Sequence, residues 1–218
     1  MTFQEVVNSW CVSRERLYAR RALALEQPDL GILRKAQRGD ERAFSIIVRA
    51  YERPIYNYVL RLVGDRALAE DLTQEVFLRV FQGLPGFSLR SRFTTWMFQV
   101  TKNRVLDELR SLERRPRCVV NIDDIAPLES LDAPFERAET ISALWRSVEA
   151  LNVDLKMALL LRDIVGLSYT EIADSLEITL ATVKWRIYKA REEVQAALVR
   201  DGVGVATSAA GAVCTITE

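Results

Sequence analysis

Residues 168–191, SYTEIADSLEITLATVKWRIYKAR, place a set of hydrogen-bond donors and cations on one face of one helix. Between Thr179 and Arg191 there are four cations and no acid. Val183, Ile187, Ala190 and Val194 recur at helical spacing and predict the buried side. Thr179, Thr182, Lys184, Trp185, Arg186, Lys189 and Arg191 remain on or beside the other. A helix with that surface can lie in a major groove, with cations on phosphates and polar side chains at base edges. Ser168 and Glu171 have the spacing of a capping box, in which each side chain satisfies the other's free amide. They start a shorter helix that buries Ile172, Ala173 and Leu176. The break at Glu177, Ile178 and Thr179 makes the pair a helix-turn-helix. Trp185 either touches a thymine methyl or packs on its own domain.

Two more stripes have chemical potential. Asp71, Gln74, Glu75 and Leu78 follow i, i+3, i+4, i+7 spacing and offer acceptors and one leucine to a basic helical partner; a plain solvated face has the same spacing. Leu68, Leu72, Val76 and Val80 predict the core side of that helix. Further on, Phe93, Trp96, Met97 and Val100 read as core. Gln99, Asn103, Asp107, Arg110 and Arg114 form a polar stripe on the same helix. Amides and guanidinium groups suit base edges and phosphates, whereas Asp107 repels phosphate and reads as an orienter of Arg104 or Arg110. The preceding loop, with Arg90 and Arg92, is basic and either traps an unstacked base or simply connects two helices.

The elements that must position these groups are all helical. The chain has 218 residues, 49% of them hydrophobic, with only 9 Gly and 6 Pro. That composition predicts an all-α protein. A first domain over 30–115 has four helices. Asp40 and Asp65 cap the second and third of them, and Gly39 and Gly64 close the first and second. Residues 116–135 form a linker with three prolines. A second domain over 136–198 ends in the helix-turn-helix. Residues 1–29 are an extension and 199–218 a mobile tail.

Net charge is zero, yet it is laid out in blocks. From Arg90 to Arg117 there are eight cations and three acids, and from Cys118 to Thr140 six acids and one cation. Two basic faces with an acidic connector between them suit nucleic acid better than the total suggests. There is no histidine, and the three cysteines, Cys11, Cys118 and Cys214, are far apart. Histidine catalysis is excluded, no metal or cofactor site is expected, and no disulfide framework is visible. Cys11 and Cys214 are either inert or redox-sensitive. No apolar run reaches membrane-spanning length and no signal peptide is present, which predicts a cytoplasmic protein without membrane insertion.

The order of these pieces resembles a bacterial RNA polymerase sigma factor of the extracytoplasmic-function (ECF) group. AEDLTQEVFLR at 69–79 and FTTWMFQVTKN at 93–103, followed by Asp107 and Arg110, look like region 2 of that family. LLLRD at 159–163, Gly166 to Tyr169, Glu171 to Ala173 and Thr182 to Lys184 look like region 4. The resemblance implies an alternative sigma factor with no catalysis of its own. It assigns Asp71, Gln74, Glu75 and Leu78 to the β′ clamp helices of core RNA polymerase. Arg90, Arg92, Gln99, Lys102, Asn103, Arg110 and Arg114 go to single-stranded DNA of the −10 element. Thr179, Thr182, Lys184, Trp185, Arg186, Lys189 and Arg191 go to duplex DNA of the −35 element, with region 4 leaning on the β flap. An anti-sigma factor is the further implied partner. Glu177 departs from the family, where a small or flexible residue is common in the turn. The linker, at about 3.3 Å per residue, spans roughly 60 Å, enough for two promoter elements about two helical turns apart. A stand-alone helix-turn-helix regulator is the competing reading; an enzyme has no nucleotide loop, metal cluster or nucleophile–base pair to support it.

Overall fold

A computed structural model describes residues 27–114 and 135–202, and every described element is a helix or a turn. The first group comprises α1 (Leu30–Gln37), α2 (Glu41–Val63), α3 (Arg66–Gly83) and α4 (Phe93–Arg114). The second comprises α5 (Phe135–Glu149), α6 (Val153–Leu160), α7 (Tyr169–Leu176) and α8 (Leu180–Arg200), with a π-helical turn over Leu161–Val165. The linker, most of the N-terminal extension, most of the tail and all three cysteines lie outside the described residues. Among the described residues no helix is long and apolar enough to cross a membrane.

The helix boundaries follow the capping chemistry. Asp29, Asp40 and Asp65 each accept from first-turn amides of α1, α2 and α3. Gly64 ends α2 at φ 76°, a left-handed turn that a side chain resists. Helix α2 runs through Pro54, which lacks the amide that would bond the carbonyl one turn earlier; its buried face, Tyr51, Ile55, Tyr58 and Val59, holds the helix together across that gap.

Aromatic rings fill the first core. Tyr51 packs edge-on against Phe93, and Tyr58 against Phe98. The Tyr51 hydroxyl shares a 2.9 Å hydrogen bond with Thr94, and burial pushes its pKa up to about 12. Phe87, Phe93 and Trp96 form a second aromatic group under the loop that leads into α4. Gly83 faces that group, and a Cβ there would come within 3.2 Å of the Trp96 ring. The side-chain amide of Gln37 donates to the carbonyls of Leu84 and Phe87, at 3.1 and 2.9 Å, and pins the loop from below.

In the second group α8 is the spine. Val183, Ile187, Ala190, Val194 and Leu198 are buried against α5, α6 and α7. Lys156 is almost buried; its ammonium donates to the carbonyl of Glu149 at 2.7 Å and so closes the end of α5. Desolvation lowers its pKa, partly offset by the nearby Glu149 carboxylate.

The two groups touch. Helix α7 lies on α4, and α6 lies on α2. Beside it α5 also reaches α2: the guanidinium of Arg61 sits 3.5 Å above the Trp145 ring and 3.5 Å from the Glu149 carboxylate. Arg61 is only 6% exposed, so this cation is effectively desolvated and depends on both partners.

Candidate nucleic-acid and polymerase interfaces

Helix α8 begins where Thr179 accepts from the amide of Thr182, and α7 begins with the complete Ser168–Glu171 capping box. Ser168 accepts from the Glu171 amide, and the Glu171 carboxylate accepts from the Ser168 amide at 2.8 Å. Between the helices Glu177 holds φ 59° and is the one described non-glycine residue at positive φ. The turn is therefore left-handed, as the sequence break implies, but built on a residue that dislikes it.

The basic face of α8 divides into two parts. Arg186 pairs with Asp154 at 3.1 Å, and Arg191 with Asp163 at 2.7 Å. Both guanidinium groups are mostly covered. Lys189 pairs with Glu192 one turn on, which raises its pKa through a hydrogen bond at the surface. Lys184 has no ion-pair partner among the described residues and is exposed. Trp185 is 59% exposed, so it does not pack on its own domain. Tyr188, 70% exposed, stands one turn beyond it. Lys184, Trp185 and Tyr188 thus form a continuous open surface with Thr182 at its edge. Sequence reasoning passed over Tyr188; its spacing of three from Trp185 and four from Lys184 was the available signal.

On α3, Asp71, Gln74, Glu75 and Leu78 are all exposed, and Leu78 is 56% exposed. The opposite side, Leu72, Val76 and Val80, is fully buried. Glu75 is the one member of the stripe already engaged: Arg104 on α4 donates to it and also to Glu108 at 2.8 Å. That hydrogen bond holds the Glu75 carboxyl below its usual range. Phe81 continues the stripe one turn past Leu78 and meets Phe44 with ring centroids 4.9 Å apart.

On α4 the expected division of faces is observed. Phe93 and Met97 are buried, Trp96 and Val100 half-buried, and Asn103, Asp107, Arg110 and Arg114 exposed. Asp107 lies 3.7 Å from Arg110, consistent with an orienting role, whereas Arg104 turns to Glu75 and Glu108 instead. Arg90 is exposed in the loop. Arg92 is exposed as well, Gln99 is half-buried and Lys102 buried, and all three are already engaged by carboxylates. Arg92 pairs with Glu171 at 2.6 Å. Gln99 donates to Glu177 at 2.9 Å, and Lys102, nearly buried, donates to it at 2.6 Å.

Residues 47–115 match the family model described as Sigma-70 region 2, and residues 141–194 the one described as Sigma-70, region 4. RNA polymerase sigma-H factor of Pseudomonas aeruginosa is 32% identical over 183 residues, covering 79% of this chain and 95% of that protein. ECF RNA polymerase sigma-E factor of Escherichia coli K12 is 31% identical over 178 residues, 76% of this chain and 92% of that protein. This chain belongs to the ECF group of RNA polymerase sigma factors.

Two solved structures share the fold. CnrH, in complex with the cytosolic domain of CnrY, superposes with a TM-score of 0.60 at 22% identity, over 78% of this chain and 96% of that one. RpoE of Bartonella quintana, in complex with the anti-sigma factor NepR, gives 0.60 at 20% identity, over 72% and 98%. The family matches make this chain an alternative sigma factor that directs promoter-specific transcription initiation; the region 2 match runs from within α2 to the end of α4, and the region 4 match from within α5 into α8. The stand-alone regulator reading falls with the region 2 match, because such a regulator has no use for that domain.

Proposed function

We propose that the sigma factor divides its work among three surfaces. Asp71, Gln74 and Leu78 on α3 dock on the β′ clamp helices of core polymerase, with Glu75 shaped by Arg104. Arg90, Arg92, Gln99, Lys102, Asn103, Arg110 and Arg114 hold single-stranded DNA of the −10 element. Thr179, Thr182, Lys184, Trp185 and Lys189 face the −35 major groove, with Tyr188 added. Arg186 and Arg191 support the helix through Asp154 and Asp163 and reach phosphates from its flanks.

The open Lys184–Trp185–Tyr188 surface carries the −35 part of this reading. Two large exposed rings side by side mark a surface that a partner covers, and the unpaired Lys184 beside them suits a duplex, which supplies phosphate charge and thymine methyls. The factor works as a specificity subunit in the cytoplasm and performs no bond chemistry itself. RpoE of Bartonella quintana is bound to an anti-sigma factor and CnrH to the cytosolic domain of CnrY, which supports an anti-sigma factor for this chain as well. The domain limits are proposed as 30–115 and 136–198, joined by the acidic linker.

Run-off transcription with bacterial core polymerase tests the assignment. Asp71→Ala lowers transcription by weakening core binding, and Lys184→Ala lowers it only at promoters with a recognisable −35 element. Wild-type activity from both variants removes these residues from the interfaces.

A further inference from the structure

Helix α1 carries cations that the fold leaves unpaired. Arg34, Lys35 and Arg38 are exposed, and their side chains have no hydrogen-bond or ion-pair partner among the described residues. By contrast Arg92, Arg104, Arg110, Arg186, Lys189 and Arg191 all meet carboxylates. From Leu30 to Arg49 there are five cations and two acids. One of the two, Asp40, is engaged by the amides of Arg42 and Ala43.

This helix lies along the loop that leads into α4. Ahead of it, Gln27 accepts from the amide and the hydroxyl of Thr94, near the start of α4, at 3.5 and 3.4 Å. At its other end Gln37 donates to the carbonyls of Leu84 and Phe87. Both ends of α1 are thus bonded to the segment that carries Arg90 and Arg92. Arg34 and Arg38 are one turn apart. They stand about 60° and 100° round the helix from Gln37, on the same side of it, so they border the loop. The region 2 match begins at residue 47, which leaves α1 outside it.

We propose that α1 is a phosphate-binding shelf for the promoter single strand: Arg34, Lys35 and Arg38 hold the backbone of the nucleotides adjoining those in the Arg90 loop. The inference rests on the −10 assignment of Arg90. Backbone contacts of this kind fix register and supply affinity without reading bases. They help to hold a strand whose bases have been pulled from the stack. In a chain of zero net charge, attraction to DNA comes from local fields, and unpaired cations set them.

The test uses the full-length chain joined to core polymerase. The probe is a fluorescein-labelled fork of a promoter recovered by run-off transcription, duplex upstream and single-stranded through the −10 element. Anisotropy gives its affinity over a range of KCl concentrations. The Arg34→Gln/Lys35→Gln/Arg38→Gln variant is expected to lower the salt slope by about two, at roughly 0.7 per single-strand phosphate. At about 0.2 M salt that is a ten- to thirtyfold weaker complex. Each single variant gives about a third of the change in slope, which keeps the result readable if the triple variant folds poorly. Arg66→Gln removes one exposed cation at the start of α3 and is expected to leave the slope unchanged.

An unchanged slope in the α1 variants overturns the shelf. So does an equal fall per charge in Arg66→Gln, which makes the effect one of net charge. A lower melting temperature without a change in slope returns the three cations to the carbonyl end of their own helix, and weaker binding to core polymerase alone gives them to the polymerase; either result overturns the proposal. Arg90→Gln separates it from the reading beneath it. A reduced slope there, with none in the α1 variants, ends the shelf alone, and an unchanged slope in Arg90→Gln removes the −10 assignment as well.

Discussion

The guanidinium of Arg191 on α8 is held by both carboxylate oxygens of Asp163, at 2.7 and 3.4 Å, across 28 residues of chain. This two-point contact ties α8 to the π-helical turn that precedes α7. A forked, partly covered pair of this kind is worth more than an exposed one. Arg191→Ala is therefore expected to destabilise the folded chain by about 1–3 kcal/mol in urea unfolding. Lys184→Ala, seven residues earlier, changes stability by less than about 0.5 kcal/mol. A double-mutant cycle with Asp163→Ala returns most of the Arg191 loss as coupling; zero coupling disproves the contact's role.

Trp185 and Tyr188 present the opposite case. Both are large, apolar and exposed, and nothing in the fold requires them. Replacing either with alanine is expected to leave thermal unfolding within a degree or two and to lower transcription about tenfold at −35-dependent promoters, a loss of about 1–3 kcal/mol of base discrimination. Promoter footprinting with each variant reads the effect directly. A fall in melting temperature without a change in footprint assigns the rings to packing instead.

Much of this was legible in the sequence, for local reasons. Helix limits followed from Asp40, Asp65, Gly64 and the Ser168–Glu171 box, because capping is decided by neighbours within four residues. The buried stripe of α8 followed from periodicity alone. The pairing of α8's cations was not legible: Asp154 and Asp163 lie on other elements, and only the packed fold brings them to Arg186 and Arg191. The same holds for Glu75, which reads as a free acceptor until α4 delivers Arg104. Glu177 was visible as an odd turn residue, but its partners, 75 and 78 residues away, were beyond any periodicity.

The Glu75–Arg104 contact has a pH signature. The hydrogen bond from Arg104, with the Arg104 and Arg79 charges, lowers the Glu75 pKa below its ordinary 4.5. A group whose folded value is depressed contributes stability that is complete above the unfolded value and lost as pH falls through the folded one. The contribution is thus intact at neutral pH and disappears only on acidification below 4.5. Carbon-detected titration of the glutamate carboxyls is expected to show Glu75 titrating below the ordinary value in the wild type and closer to it in Arg104→Ala, where only the Arg79 charge still lowers it. The same midpoint in both proteins rules the contact out.

Tyr58 illustrates a buried group without a partner. Its ring packs against Phe98, but its hydroxyl has no hydrogen-bond partner among the described residues, and burial pushes its pKa far up. Leaving a hydroxyl unpaired in an apolar core costs about 1–3 kcal/mol. Tyr58→Phe keeps the ring and removes that cost, so it is expected to raise stability by about 1 kcal/mol. Thermal denaturation of the two proteins checks this, and a less stable phenylalanine variant shows that the hydroxyl is bonded after all.

Glu177 offers a way to separate side-chain contact from backbone strain. Its φ of 59° lies where a Cβ crowds the following carbonyl, at a cost of roughly 1 kcal/mol for a non-glycine residue. Glu177→Gln and Glu177→Gly both remove the carboxylate from Lys102, but only glycine relieves the backbone. The glycine variant is accordingly expected to be more stable than the glutamine variant by about 1 kcal/mol. The comparison does not involve the ion pair, so it reads the turn alone. Equal stability of the two variants means that the turn does not hold the left-handed geometry in solution, and the route by which Glu177 reaches α4 goes with it.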